Sequence, residues 1–351
     1  MTNATDLAEL GGWPALLGRL TDGTDLSTAE ARAAMAEILA GNATESQIAG
    51  LLIGLKAKGE TVSELTGLAR AMMNAAEPLS TPANAIDIVG TGGSGHRRRH
   101  ALNVSTMACI VAAAAGAVVC KHGNRKASST SGSFDFLEAL GVAFDLGSAE
   151  LETCISEVGL GFAFARAYHP AMRFAGPVRA SLGIPTVFNL LGPLANPGGV
   201  TRQVVGVSSP DRAESIAQAL AELGSDSSWV VSGSGGLDEL STTGDNVVFR
   251  VANGEVERQD VTGADHGLAA ADLDDLIGGS AADNVAIFER ILTGVTGPHR
   301  DIVVLNAGAG LVVGGLAATL REGVSQAIAA IEDGRAAAKT EQLRLTTSRL
   351  G

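Results

Sequence analysis

Aromatic side chains are scarce in this chain of 351 residues: Phe, Trp and Tyr together make up 3%, with a single Tyr. The core therefore has to be built from Ala, Val, Leu and Ile, with tight backbone turns supplied by 45 glycines. Cysteine is rare as well. Cys109, Cys120 and Cys154 are widely spaced and sit inside apolar stretches, as expected for reduced, buried thiols. There is no C-x-x-C, the one H-x-x-x-H is His96–His100 within an arginine tract, and His266 and His299 add no metal-ligand spacing, which argues against a zinc site. An excess of positive charge is missing: the net charge is −13 and the pI about 4.9, the opposite of a general nucleic-acid binder. Long apolar runs are missing too. The most apolar stretch, residues 107–120, falls short of the ~20 residues that span a bilayer. The opening "MTNATDLAELGG" has neither a basic start nor an apolar centre, so no secretory signal and no membrane partner are expected, and the expected location is cytoplasmic.

What is present is a globular composition, 46% apolar, long enough for one large or two ordinary domains. Residues 1–78 read as short amphipathic helices. "LSTAEARAAMAEILAG" carries a capping box at Ser27 and Glu30, with Leu26 as its staple, and "TVSELTGLARAMMNAAEP" repeats the box at Thr61 and Glu64. "TESQIAGLLIGLKAKG" lies between them and ends at Gly59. From Ile86 the pattern changes. "IDIVG", "AVVCKHG", "GFAFA", "VVGVSS" and "SWVVSG" are short apolar runs separated by helical stretches at 103–115, 133–140, 148–157 and 210–223. This alternation predicts an α/β fold, a mostly parallel central sheet covered on both faces, with ligands outside the carboxyl ends of its strands. Residues 168–197 interrupt the alternation and are expected to pack back on the N-terminal helices. The expected division is a small helical domain, 1–80 completed by 168–197, and a larger α/β domain, 81–167 with 198–351. Residues 267–293 and 320–349 read as helical, and 301–315 as a strand running into a small-residue helix.

Five constellations carry chemistry. "GTGGSG" at 90–95 ends an apolar run with glycines, which lets backbone amides approach an anion. Gly90, Gly92 and Gly95 fit the dinucleotide fingerprint by letter only, because HRRRH follows instead of a helix packed on the strand. "NVST" at 103–106 opens the next helix; its hydroxyls either cap that helix or meet a phosphate or its Mg²⁺. "KHGNRKASSTSGSFD" at 121–135 gathers a lysine, histidine, asparagine, arginine and hydroxyls at a second strand end, either an anion site or a polar turn. "GLDELSTTG" at 236–244 places Asp238 beside Glu239, hard ligands suited to Mg²⁺ or ordinary surface acids. "YHPAMR…PVRASLG" carries His169 and Arg179, the latter either facing a carboxylate or snorkelling at the surface.

In this order and combination, "GTGG", "NVST", "KHGNR…SSTSGSFDFLEALGV", "HPAMR…PVRASLGIPTVFNLLGPLANP" and "GLDELS" resemble the anthranilate phosphoribosyltransferase family over most of the chain. The resemblance implies a helical and an α/β domain with a cleft between them, and a homodimer formed through the helical domain. It implies transfer of the phosphoribosyl group from phosphoribosyl pyrophosphate to anthranilate, with Mg²⁺. It further implies that Gly90, Thr91, Gly92 and Gly93 wrap phosphoribosyl pyrophosphate. Asn103, Ser105 and Thr106 would hold phosphate, with Ser105 also on Mg²⁺, Lys121 at the pyrophosphate or ribose end and Ser129 on phosphates. Asp238 and Glu239 would complete the metal sites. Gly90, His122, Asn124, His169 and Arg179 would line the anthranilate route, and Lys121, Asn124 and Arg179 would be the catalytic groups. Three other readings compete. A relative with a changed aromatic acceptor shares every motif. A pyrimidine-nucleoside phosphorylase fits worse, because its Lys-His-Ser glycine loop is not here. A nucleic-acid binder is opposed by the net charge.

One stretch departs from the family pattern. The family has Asp-Gly after "GTGG" and a short turn before "NVST", whereas this chain has Ser94 and then HRRRHAL. Losing the acid and gaining arginines shifts the field the same way, toward tighter phosphate binding and slower product release; the alternative is an ordinary solvated loop.

Overall fold

The computed structural model describes residues 6–92, 101–126 and 130–351. Four helices come first: α1 Gly12–Thr21, α2 Thr28–Ala40, α3 Glu45–Lys58 and α4 Val62–Asn74. Both expected capping boxes form. Ser27 Oγ accepts from Glu30 N while the Glu30 carboxylate accepts from Ser27 N, and Thr61 and Glu64 repeat the exchange. A third box, Thr44 with Gln47, opens α3. Each such cap contributes about 1 kcal/mol.

The α/β part holds a seven-stranded sheet. Its strands are β1 Ile86–Gly90, β2 Val119–Gly123, β3 Leu160–Phe164, β4 Arg202–Gly206, β5 Ser227–Ser232, β6 Asn246–Ala252 and β7 Glu255–Val261, in the order β3-β2-β1-β4-β5-β6-β7. The first five are parallel, in the registers Ile86 with Arg202 and Val119 with Leu160, and the last two add antiparallel at one edge. Side chains alternate between the faces. Ile88 and Val204 join one core with α5 (Val104–Ala114) and with the C-terminal helices. Val89, Val205 and Val230 join a second core containing the N-terminal bundle and α11 (Pro210–Leu223). Between α5 and α11 lie α6 Ser133–Ala139, α7 Ser148–Val158, α8 Ala165–Tyr168, α9 Gly176–Leu182 and α10 Phe188–Leu191. Ala175, Val178, Val187, Phe188, Leu191 and Leu194, from the segment that interrupts the alternation, are buried in that same second core with the bundle.

Two expectations are corrected, those for residues 301–315 and 267–293. Residues 301–315 contain no strand: α13 runs over Pro298–Val313 as one helix. Every residue from Asp301 to Leu311 is buried, so the apolar character goes all round and no amphipathic period marks it as helix. Its glycines allow close approach: a Cβ at Gly310 would sit 2.6 Å from Ile88 on β1. Residues 267–293 are helical only as a 3₁₀ turn at Leu273–Leu276 and α12 Ala281–Leu292. Residues 320–349 form two helices, α14 Leu320–Glu332 and α15 Arg335–Leu350, broken at Gly334 with φ 82°. The β6–β7 hairpin escaped the sequence reading although its two-residue turn is Asn253-Gly254, both at positive φ, a strong hairpin signal. Among the described residues no helix is long and apolar enough to cross a membrane.

Candidate active site

The carboxyl ends of β1 and β2 open into a cleft of about 830 Å³ between the sheet and the segment 165–193. Gly90 ends β1. The chain then turns through Thr91, whose amide donates to Gly206 O (2.8 Å), and Gly92, at φ 66°, whose amide donates to Asp238 Oδ2 (2.8 Å). A Cβ at Gly90 would collide with the Asp238 carboxylate, so only glycine lets that acid lie against the strand end. Beyond the turn, α5 points its N-terminus at the cleft. Asn103 is its N-cap residue yet makes no side-chain cap. Its amide donates to Asn284 Oδ1 (2.8 Å) and its Oδ1 accepts from Ser131 Oγ (2.8 Å). Ser105 and Thr106 line the cleft, and the buried Thr106 Oγ1 has no hydrogen-bond partner among the described residues. Of the two readings of "NVST", capping is therefore absent; a helix N-terminus with an unused hydroxyl suits an anion.

Lys121 and His122 sit on β2. The Lys121 ammonium is buried and donates to Ile88 O (2.7 Å). Below it lies Asp87, fully buried, whose Oδ2 accepts from His122 N (3.2 Å) and Asn196 Nδ2 (2.8 Å). Burial pushes the Asp87 carboxyl up to about 6, against the pull of the nearby Lys121 charge. His122 Nδ1 is 3.0 Å from Gly192 O and so donates to it, which leaves Nε2 as an acceptor; Nε2 is buried without a partner. Burial, then the neighbouring His169 and Lys121, hold the His122 imidazole down at about 3, so the ring is neutral. Its ring centroid is 5.1 Å from that of His169. Asn124 is exposed at the rim, its Oδ1 accepting from Arg125 N (2.8 Å).

The opposite wall comes from the interrupting segment. His169 donates from Nε2 to Ala195 O (2.8 Å), and burial lowers its pKa. Arg179 lies over the Phe188 ring, 4.9 Å from guanidinium carbon to centroid, and burial lowers its pKa too. No acidic side chain among the described residues pairs with it, so it presents a charge with room for a carboxylate.

One cleft thus collects Gly90, Thr91, Gly92, Asn103, Ser105, Thr106, Lys121, His122, Asn124, His169, Arg179 and Asp238. Glu239 follows Asp238 but is buried and does not reach the cleft wall. Gly93, Ser129 and the basic tract 96–100, with the expectation attached to it, lie outside the described residues. The sequence reading missed Asp87 and Asn284, buried polar residues inside a strand and a helix, and Asn196, buried in the loop after Leu194. The cleft is lined by the cations Lys121, Arg125, Lys126, Arg166, Arg173 and Arg179 and by a single carboxylate, in a chain of net charge −13. That is the field of a polyphosphate site.

Two family descriptions match the chain: the helical bundle domain of the glycosyl transferase family over residues 14–76, and its a/b domain over residues 82–337. An anthranilate phosphoribosyltransferase of Parvibaculum lavamentivorans is 49% identical over 92% of this chain and 93% of its own length. The chain belongs to the anthranilate phosphoribosyltransferase family. The family reaction transfers the phosphoribosyl group from phosphoribosyl pyrophosphate to anthranilate and releases pyrophosphate, in tryptophan biosynthesis, so the chain is a pentosyl transferase. The crystal structure of the anthranilate phosphoribosyltransferase of Thermus thermophilus is similar at TM-score 0.89 and 42% identity, over 95% of this chain and 99% of that one. That of Saccharomyces cerevisiae, in complex with phosphoribosyl pyrophosphate and Mg, is similar at TM-score 0.87 and 26% identity, over 96% and 98%.

Proposed function

We propose that this cleft is where the anthranilate phosphoribosyltransferase reaction takes place, with phosphoribosyl pyrophosphate along the sheet wall and anthranilate along the 165–193 wall. The observation that carries this reading is the convergence of six cationic side chains and the N-terminus of α5 on one mouth. The glycine turn Gly90–Thr91–Gly92, continued by Gly93, wraps the donor; Asn103, Ser105, Thr106 and Ser129 take its phosphates. Lys121, held on Ile88 O, contributes a fixed positive charge toward the departing pyrophosphate. The helical domain is residues 1–80 completed by 168–197, and pairs with a second copy to form a homodimer in the cytoplasm.

Magnesium fits the residues present. No cluster of three or more His, Cys, Asp or Glu side chains gathers among the described residues, but the cleft does hold the Asp238 carboxylate and the Ser105 hydroxyl. One or two carboxylates plus substrate phosphates is how Mg²⁺ is usually held. Asp238 and Ser105, with Glu239 behind, would hold it; bound there, it offsets the negative charge gathering on the pyrophosphate.

In the reaction the bond from ribose C1 to the pyrophosphate oxygen breaks and positive charge grows on the ribose ring. The anthranilate nitrogen bonds C1 and then gives up a proton to solvent. Arg179 orients the anthranilate carboxylate. The neutral His122, with its free Nε2 lone pair, accepts from the amine N–H, and Asn124 and His169 complete that wall. Stabilisation of the departing charge is the larger contribution and positioning supplies much of the rest, since no strong base is needed.

The test is consumption of anthranilate fluorescence with phosphoribosyl pyrophosphate, with and without Mg²⁺, alongside pyrophosphate release. Equal loss of anthranilate and gain of pyrophosphate, dependent on Mg²⁺, is expected. Folded protein that consumes no anthranilate under any divalent metal would sink the reading.

A further inference from the structure

The strand-to-loop segment that carries Asp238 and Glu239 is held by two buried side-chain amides. Asn306, on α13 and 1% exposed, bonds both polar groups of one residue: its Oδ1 accepts from Leu240 N (3.0 Å) and its Nδ2 donates to Leu240 O (2.8 Å). The same Nδ2 donates to Ile302 O (2.8 Å), which fixes the amide to its own helix. Asn246, at the start of β6 and fully buried, treats the next residue likewise. Its Oδ1 accepts from Ser241 N (2.7 Å) and its Nδ2 donates to Ser241 O (2.9 Å), with further bonds to Ser234 N, Gly244 O and Val261 O.

Among side chains, the carboxamides of Asn and Gln carry a donor and an acceptor in the arrangement that a neighbouring strand would present to one residue. Leu240 and Ser241 are therefore held as though paired in a sheet, although neither belongs to a strand, and all four residues are buried. Asn is a weak helix former, and its place inside α13 brings no intrinsic gain to that helix. Its carboxamide is instead spent on a loop more than sixty residues away.

We propose that Asn306 and Asn246 are positioning residues that set the Asp238–Glu239 backbone for divalent-metal and pyrophosphate binding. The inference rests on the reading of Asp238 and Glu239 as the metal-holding carboxylates. Mg²⁺ demands near-ideal octahedral geometry, so a loop that wanders by a fraction of an ångström loses affinity first for the ion and then for the phosphates bridged to it. Partners that orient metal ligands typically account for ~10–100-fold in metal affinity.

The experiment pairs Asn306→Ala with Asp238→Asn. Mg²⁺-dependent binding of phosphoribosyl pyrophosphate is measured by calorimetry without anthranilate, and the Mg²⁺ activation constant and both KM values are measured in turnover. For Asn306→Ala the Mg²⁺ concentration at half-maximal binding and activity rises about 10-fold, excess Mg²⁺ restores kcat, and KM for anthranilate is unchanged. Hydrogen exchange at the Leu240 and Ser241 amides speeds up in parallel. Should this variant fail to fold, Asn306→Asp, which keeps the acceptor for Leu240 N and loses both donors, and Asn246→Ser are expected to show the same split. A folded variant with faster exchange and an unchanged Mg²⁺ constant overturns the inference, provided Asp238→Asn does shift that constant. If Asp238→Asn leaves the constant unchanged as well, it is the assignment of the metal ligands that falls.

Discussion

The two walls of the cleft are built differently. The sheet wall is the ends of two buried parallel strands, a helix N-terminus and an acid-bearing loop, cross-linked by Asn284 and Asn306, which bond backbone groups distant in sequence, and by Asn246, which ties Ser241 to Val261. The opposite wall is a run of short helices, α8 to α10, followed by a turn whose backbone carbonyls are pinned one at a time: Gly192 O by His122, Pro193 O by Gln203 and Ala195 O by His169. Two of its cations rest on aromatic rings, Arg173 over Phe174 and Arg179 over Phe188. The first wall suits a pyrophosphate with its metal, the group on which negative charge gathers. The second suits a flat carboxylate acceptor held by one cation and a few ring edges.

The largest expected effect is on the sheet wall. Asp238→Asn keeps the acceptor for Gly92 N but removes the charge, and kcat/KM for phosphoribosyl pyrophosphate should fall ~10²–10³-fold with the anthranilate KM nearly constant. Second comes Arg179→Ala, which should raise the anthranilate KM about 10–100-fold, the worth of a charge-assisted carboxylate bond, while donor binding by calorimetry stays within twofold.

A stability measurement sharpens the contrast where the walls touch, at His122. Its folded pKa, about 3, lies below the unfolded value of 6.5, so the unfolded chain takes up the proton first. The stability His122 contributes is thus complete above pH 6.5 and is lost as pH falls toward 3. Asp87, raised to about 6, acts in the opposite sense and gains stability as pH falls from 6 toward 3.8. His122→Gln should leave the Asp87 component and remove the other, so that the fall in Tm between pH 6.5 and 4 shrinks by roughly 5 °C. An identical fall in both proteins would show that His122 is not buried neutral.

The smallest effect concerns the basic tract. Replacing Arg97, Arg98 and Arg99 by Ala should raise KM for phosphoribosyl pyrophosphate by ~2–5-fold, and the effect should fade as added salt screens the charges. Unchanged KM and kcat at low salt would make the tract a solvated loop and nothing more.

Much of this was legible in the sequence, for a definable reason. Glycine at 90 and 92, the Ser27 and Thr61 capping boxes and the strand ends at 90 and 123 follow from local chemistry, and the structure reproduces them. The sheet wall's determinants cluster within "GTGG", "NVST" and "KHGNR" and so could be read together. What could not be read is long-range. Asn306 and Asn284 look like ordinary helix residues until the fold brings Leu240 and Asn103 to them. The helix 298–313 hid because it is buried on every side, and Glu239 looked equivalent to Asp238 because sequence does not say which of two adjacent acids faces the cleft.

The most direct test of the division between the walls is a crossed measurement of both KM values in Asp238→Asn and Arg179→Ala. The account predicts that Asp238→Asn moves only the phosphoribosyl pyrophosphate constant and its Mg²⁺ dependence, and that Arg179→Ala moves only the anthranilate constant. If each substitution moved both constants together and by similar factors, the two substrates would share one wall and the division drawn here would be wrong.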